Sequence, residues 1–347
     1  MSSYIRSLCE ALPKAELHAH LHGCARMSTI AELAPAGLDT SRLTEQAGVG
    51  ADRSLDVCFE VFGAIHKTVT SLAAVRRVAR EVLADFAADN VKYLELRTTP
   101  RELSDADAEG YVRAVLDVFA AYERETADAA WPLSVRLLLS VDRTGGAERA
   151  MATVRLAARL RDDASSGGAK YIVGVDFSGN PTRGKFADYV EVFEEARRCG
   201  LRIAVHVGEV DDPQDTAAVV RFRPDRLGHA LLLTAEDRRM LAAAPVPIEL
   251  CPTSNLKTLQ LGSLCDHPTM QHWLTVGYPV SISTDDSSVF CTTASRELEL
   301  AAAACDLSPE RVAALAAAPL DHAFGDGRLL EELRGRFAAE ASLRRAT

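Results

Sequence analysis

Short runs of apolar and β-branched residues recur along the chain, and longer stretches of helical period separate them. Eight runs predict strands: residues 15–21 (AELHAHL), 91–97 (VKYLELR), 133–141 (LSVRLLLSV), 171–177 (YIVGVDF), 202–207 (RIAVHV), 226–230 (RLGHA), 246–251 (VPIELC) and 279–284 (PVSIST). Between them, residues 73–88, 111–127, 151–162, 186–199 and 235–244 carry their apolar side chains on one helical face. Strands that alternate with helices pair in parallel through right-handed crossovers. Eight such units are the number that closes a (β/α)8 barrel, so the predicted class is α/β with a TIM-barrel architecture. A doubly wound open sheet competes. It predicts a G-x-G-x-x-G turn after the first strand, where this chain reads HAHLHGCAR.

Residues 28–71 form an expanded first crossover, read as several helices able to cap the barrel mouth, and residues 306–341 read as extra C-terminal helices. No internal repeat or Pro-rich linker interrupts the 347 residues, so 1–347 is expected to be one domain. Composition narrows the class. With 48% hydrophobic and 25% charged residues the chain is globular rather than disordered. Lys plus Arg number 39 against 49 Asp plus Glu, a net charge of −10. That balance argues against binding a nucleic-acid polymer, which needs a positive surface, but leaves room for a small anion held by local cations. The eight cysteines show no C-x-x-C pair, and they are expected to be mostly reduced and buried. No signal-peptide core and no membrane-length apolar run is present, so the expected setting is cytoplasmic and away from membranes. No heptad seam is visible, which predicts a monomer.

Ionisable residues gather at the C-terminal ends of the predicted strands. His18 and His20 stand at i and i+2, so both point to one side of their strand. His206 ends the fifth strand with Glu209 three residues on, His229 ends the sixth, and Asp285 and Asp286 follow the eighth. In a barrel these ends converge on one mouth. Three imidazoles and a carboxylate (His18, His20, His206, Asp285) are a nitrogen and oxygen set suited to one zinc ion with room for water. Zinc lowers the pKa of bound water to about 7. A lone H-x-H is more often structural; the convergence of four groups is what favours a metal. The fourth strand, GVDFSG, offers no Lys to bridge a second ion. Glu209 is placed to exchange a proton with substrate, and His229 to orient or deprotonate the water. Asp286 suits either a substrate hydrogen bond or a helix N-cap.

These residues lie in ordered blocks that resemble the adenosine deaminase superfamily: PKAELHAHLHG (13–23), DFSGNP (176–181), HVGE (206–209), RLGHA (226–230), ELCPTSN (249–255) and STDD (283–286). The resemblance implies a zinc-bearing barrel that deaminates a 6-aminopurine. It implies that His18, His20, His206 and Asp285 hold the ion and that Glu209 protonates purine N1. By the same resemblance His229 positions the attacking hydroxide, Asp286 bonds N7, and the Gly179 N–H meets N3. The cytidine-type zinc deaminases carry P-C-x-x-C instead, and here Cys251 and Pro252 stand in the reverse order.

Further blocks, DRSLDVCFEVFGAIHKTVTS (52–71), KYLELRTTPR (92–101), VRLLLSVDR (135–143) and DDSSVF (285–290), resemble the adenosine deaminase-like subgroup, which is associated with hydrolysis of N6-methyl-AMP to IMP and methylamine. That likeness implies substrate contacts from His20, His66, Thr98, Thr99, Pro100 and Arg101, and a ribose contact from Asp142. Lys67 and Arg143 are reserves. A 5′-phosphate needs such cationic and hydroxyl donors. His22 departs from the subgroup: nucleoside-specific relatives carry Asp there and mononucleotide relatives often Asn. A histidine removes the repulsion an Asp would exert on phosphate. The alternatives are an adenosine deaminase without phosphate requirement, a barrel hydrolase acting on a cyclic amide or ester, and a non-catalytic barrel. Turnover of adenosine, AMP and N6-methyl-AMP separates the first; the absent strand-four Lys and the Glu209 and Asp286 pair count against the second, and a pure protein without zinc would favour the third.

Overall fold

Each apolar run becomes a strand of one parallel sheet. The computed structural model describes residues 3–38 and 54–343. Its strands are β1 (Lys14–His20), β2 (Val91–Thr98), β3 (Ser134–Asp142), β4 (Ile172–Ser178), β5 (Arg202–Val207), β6 (Arg226–His229), β7 (Ile248–Leu250) and β8 (Val280–Ile282), hydrogen-bonded in sequence order. All seven neighbouring pairs are parallel. Just beyond β8 the chain joins β1: His20 N–H donates to the Asp285 carbonyl at 2.9 Å, and Asp285 N–H donates to the His18 carbonyl at 2.8 Å. Glu16 reinforces the seam by accepting from His18 N–H (2.8 Å) and Thr284 N–H (2.9 Å). The sheet is a nearly closed barrel, as the strand count requires. Strands β7 and β8 are shorter than the apolar runs that announced them. Pro247 and Pro279 precede them without an N–H to give to a ladder, and Pro252 begins the helix Pro252–Thr258 directly after β7.

The outer helices include Leu72–Ala88, Ala108–Glu125, Gly146–Asp162, Val190–Arg198, Pro213–Phe222 and Ala235–Ala243. Side-chain caps start several of them, such as Asp107 accepting from Gly110 N–H and Thr234 in a reciprocal box with Asp237. The helix Gly146–Asp162 begins earlier than its apolar periodicity suggested, because its first turn is polar and exposed. Of the expanded first crossover, Met27–Leu33 and Leu55–Thr68 are helical; residues 39–53 lie outside the described part. The C-terminal helices are Pro309–Ala317 and Gly327–Leu343. Leu330, Leu333 and Phe337 pack with Leu320 on Ala15, Leu17 and Tyr93 at the beginnings of β1 and β2. None of the eight cysteines is in a disulfide: Cys9, Cys24, Cys58 and Cys251 are buried, Cys199 and Cys305 partly so, and Cys265 and Cys291 are exposed. Burial thus covers fewer of them than expected, since Cys265 lies in the exposed part of a short 3₁₀ helix and Cys291 on a surface turn. Among the described residues no helix is long and apolar enough to cross a membrane.

Branched apolar side chains usually fill such a barrel. Here fully buried Glu16, Glu95, Arg97, Asp176, Arg226 and Glu249 stand among them. Arg226 donates to Glu249 Oε1 (2.6 Å), Glu95 Oε2 (2.5 Å) and the His322 carbonyl (2.9 Å), and its guanidinium lies 3.5 Å over the Phe324 ring. Removing one member of a buried ionic group leaves its partners uncompensated, at a cost of about 3–5 kcal/mol. Arg226→Leu is therefore expected to lower the unfolding free energy by about that much, read from urea denaturation against the parent protein.

Candidate active site

Side-chain alternation along β1 turns Glu16, His18 and His20 into the barrel and Ala15 and Leu17 out of it. His18 Nε2 and His20 Nε2 lie 3.3 Å apart, His20 Nε2 and His206 Nε2 3.1 Å apart, and Asp285 Oδ1 is 3.3 Å and 3.4 Å from the first two. Zinc bonds of 2.0–2.1 Å in a tetrahedron separate the ligand atoms by about 3.3 Å. Four of the six pairs have that spacing and all four atoms lie within 4.8 Å of one another, so His18, His20, His206 and Asp285 form a metal-binding cluster. Burial and the nearby Arg97 act to lower the His18 pKa, but Glu249 and Asp285 overcome them and raise it to about 9. His20 is pushed down to about 3 by burial and by its two histidine neighbours. The pocket thus favours positive charge at the centre of the cluster while the nitrogens repel one another as separate cations. One divalent ion answers both conditions.

Backbone strain sits at the same strand ends. His229 (φ 61°) and Asp285 (φ 61°) both occupy the left-handed region that side chains avoid. Glycine is required twice nearby. Gly179 has φ 101°, and a Cβ on Gly23 would fall 1.7 Å from Asp286 Oδ1, so the Asp286 carboxyl packs directly on the Gly23 backbone.

The cluster opens into a cavity of about 300 Å³ at the strand C-termini. His20, His22, His66, Thr98, Thr99, Arg101, Asp142, Gly179, Glu209, His229 and Asp286 all line it. Phe59, Phe62 and His66 reach it from the helix Leu55–Thr68, so the described part of the first crossover roofs the mouth. Burial and the Asp285 charge push the Glu209 carboxyl up. Burial, Asp285 and Glu209 push Asp286 well above the usual carboxyl range. At the other end of the cavity, Arg101 Nη2 is 3.3 Å from His22 Nδ1, and the His22 ring meets the His66 ring edge-on at 5.3 Å. Tyr111 lies under both Arg101 (6.0 Å) and His22 (6.2 Å), and its hydroxyl bonds Thr98 Oγ1. His22 Nε2 is buried without a partner. Burial and the Arg101 charge push His66 down to about 3 and His22 well below its ordinary value.

Three sequence candidates fall elsewhere. Pro100 lines a neighbouring groove with Arg101 rather than the cavity. Arg143 is buried and engaged by Asp215 Oδ2 (2.6 Å) and the Gly184 carbonyl (3.2 Å), so it is not a free reserve. Lys67 does not line the cavity. Residues behind the cluster went unassigned in the sequence. Glu249 Oε2 holds His18 Nδ1 at 2.7 Å, Asp176 Oδ1 lies 3.0 Å from His206 Nδ1, and Ser254 Oγ donates to Asp285 Oδ2 at 2.7 Å. Arg97 joins the first two by donating to Asp176 Oδ1 (2.9 Å) and to Glu249 Oε2. The available signal was a charged residue at an inward position of an otherwise apolar strand.

The adenosine deaminase family pattern matches residues 13–338. The chain belongs to the adenosine deaminase family. It is accordingly a purine aminohydrolase, a hydrolase that carries a His/His/His/Asp metal site in its barrel. It is 36% identical to the N6-mAMP deaminase of Arabidopsis thaliana, over 94% of this chain and 96% of that protein, and 34% identical to the human N6-methyl-AMP deaminase over 94% and 92%. The crystal structure of Arabidopsis ADAL complexed with IMP superposes with a TM-score of 0.86 at 34% identity, covering 98% of this chain and 99% of that one.

Ser254 touches the metal cluster only through Asp285 and carries no charge. Loss of such a supporting hydrogen bond weakens metal affinity about 10–100-fold. Ser254→Ala is expected to do so with little change in melting temperature, measured by zinc competition against a chromophoric chelator.

Proposed function

We propose that this family member is a zinc-dependent N6-methyl-AMP deaminase, releasing IMP and methylamine, and that the whole chain acts as one catalytic unit with one ion. The observation that carries the nucleotide reading is the Arg101, His22 and His66 group. Among the described residues Arg101 has no carboxylate in ion-pair range, and His22 Nε2 beside it is buried and unsatisfied. A guanidinium and two imidazoles backed by the Thr98 and Thr99 hydroxyls match a 5′-phosphate, whereas a neutral 5′-hydroxyl would leave that end of the cavity uncompensated. The IMP in the Arabidopsis relative is the purine product this reaction would yield.

His18, His20, His206 and Asp285 would hold the zinc. Bound there, it supplies the Lewis acidity that makes water a nucleophile at neutral pH. Addition of that oxygen at C6 breaks the ring aromaticity and places electron density on N1. N1 and N7 are both acceptors, so the groups that meet them must donate: Glu209 gives its proton to N1, and Asp286 as a neutral acid hydrogen-bonds N7. The Gly179 N–H, held by a backbone conformation that glycine tolerates, meets N3, and Asp142 takes a ribose hydroxyl. Collapse expels methylamine, which leaves with one of the protons of the added water, so that substrate plus water equals IMP plus amine.

Two results test the assignment. The zinc-loaded protein is expected to turn over N6-methyl-AMP and to turn over adenosine at least 10²-fold less efficiently, because each lost charge-assisted contact costs about 1.5–3 kcal/mol; equal kcat/KM for the two would defeat the phosphate assignment. Glu209→Gln is expected to keep its zinc and lose about 10²–10⁴ in kcat, the range of a general acid, with metal content read by atomic emission.

A further inference from the structure

Four histidine rings meet at the metal cluster, and their outer hydrogen bonds decide where each carries its proton. His18 Nδ1 faces Glu249 Oε2 at 2.7 Å. An ionised carboxylate only accepts, so Nδ1 bears a hydrogen, and Nε2 is the nitrogen left to offer its lone pair when an ion displaces any proton there. His206 turns Nδ1 toward Asp176 in the same sense, at 3.0 Å. Both rings therefore aim a lone pair at the ion position.

His229 is wired the other way. Its Nδ1 lies 3.0 Å from Asn255 Nδ2, and an amide nitrogen only donates. Two independent contacts fix that amide's orientation. Asn255 Oδ1 accepts from Cys251 N–H at 3.3 Å, and it lies 3.1 Å from His267 Nε2. His267 Nδ1 in turn accepts from Thr269 N–H (3.2 Å) and Met270 N–H (3.0 Å). Backbone hydrogens cannot move, so the one hydrogen of a neutral His267 must sit on Nε2 and point at Asn255 Oδ1. Burial keeps that imidazole neutral by lowering its pKa to about 4. The chain of donors then runs in a single direction, from the backbone of Thr269 and Met270 to the ring of His229.

We infer that Asn255 and His267 lock His229 in the Nε2–H tautomer, so that His229 donates a hydrogen bond into the cavity, does not ligate the metal and does not take the proton of the attacking water. Its Nε2 is on the cavity side, 3.8 Å from Glu209 Oε1. The inference rests on the reading of this cavity as the deaminase site and assigns His229 one of the two roles its sequence position allowed. The hydrogen bond holds the nucleophilic oxygen against C6, and the proton that oxygen sheds goes to Glu209, which faces His229 and is a carboxylate once it has passed its own proton to N1. The same wiring explains why one of two overlapping ligand sets is used. His229, Cys251 and Asp285 also offer atoms within 4.8 Å of one another. A His229 with its hydrogen on Nε2 and its Nδ1 lone pair taken by the Asn255 amide has no free lone pair for an ion, and the Cys251 thiol is held protonated by burial and neighbouring carboxylates.

The test is the nitrogen-15 spectrum of histidine-labelled, zinc-loaded protein at neutral pH, with His229 assigned by its loss in His229→Asn. The expected spectrum has His229 Nε2 protonated and Nδ1 not. A hydrogen on Nδ1 with Nε2 bare overturns the inference, and this outcome needs no substrate, so it is separate from failure of the substrate assignment. Asn255→Asp keeps the shape but accepts at both oxygens, so His229 Nδ1 is expected to gain a hydrogen. Zinc content and KM should hold while kcat falls about 10²-fold, the scale of a lost or misdirected transition-state donor. His267→Phe leaves Cys251 N–H on the amide and is expected to give mixed tautomers with a smaller loss in kcat. An Asn255→Asp protein with unaltered spectrum and unaltered kcat defeats the proposal; if that variant does not fold, the wild-type spectrum decides it.

Discussion

Arg97, fully buried at the end of β2, lies between two carboxylates that each face a metal-cluster histidine: Asp176 beside His206, and Glu249 bonded to His18. Burying a guanidinium is tolerable only with such partners, and burying two carboxylates only with such a cation. The three charges therefore fix one another, and the imidazoles inherit the geometry. Arg226 extends the lattice from Glu249 to Glu95, and Phe324 covers it from the C-terminal segment. The C-terminal helices thus bear on the chemistry without entering the cavity. They exclude water from the ionic group that sets the ring orientations.

Closure of the barrel and assembly of the metal cluster are one event. The hydrogen bonds that join the end of β8 to β1 run through the backbones of His18, His20 and Asp285, three of the four clustered groups. A sheet left open at this seam would separate Asp285 from the histidines. The left-handed backbone at Asp285 is held by this closure, and that at His229 by the β5 pairing and the Ala230 N–H bonds to the Val207 and Gly228 carbonyls. Strain at the strand ends turns two side chains inward that a regular strand would direct elsewhere.

The cavity divides into ends of opposite character. Around the cluster, Glu209, Asp285 and Asp286 bring carboxyl groups close together, and burial with mutual repulsion keeps Glu209 and Asp286 inclined to hold their protons. Around Arg101 neutral imidazoles gather, with His22 edge-on to His66 and stacked over Tyr111, and Asp142 is the carboxylate whose charge is felt there. A ligand with an electron-rich heterocycle at one end and an anion at the other complements this polarity. His22 stands at the Arg101 end, where a carboxylate would have placed negative charge beside that guanidinium.

The sequence by itself determined the strand count, the parallel order and the convergence of His18, His20, His206, Glu209, His229 and Asp285 at strand ends, because alternation with period two and the crossover rule are local and chiral constraints. The roles of Arg97, Asp176, Glu249 and Ser254 were not legible: each sits in a segment whose partner is tens to hundreds of residues away, and a charged residue in an apolar strand does not say which neighbour it will meet. Pro100, which the subgroup likeness implied, lines a neighbouring groove, and Arg143, a reserve beside Asp142, is engaged by Asp215, because neither a motif nor nearness in sequence fixes which way a side chain turns. Only the tertiary structure could decide which way the proton points on His229, because that direction is set by backbone N–H groups at Thr269 and Met270, carried through His267 and Asn255, and exists only once those loops have closed over the barrel.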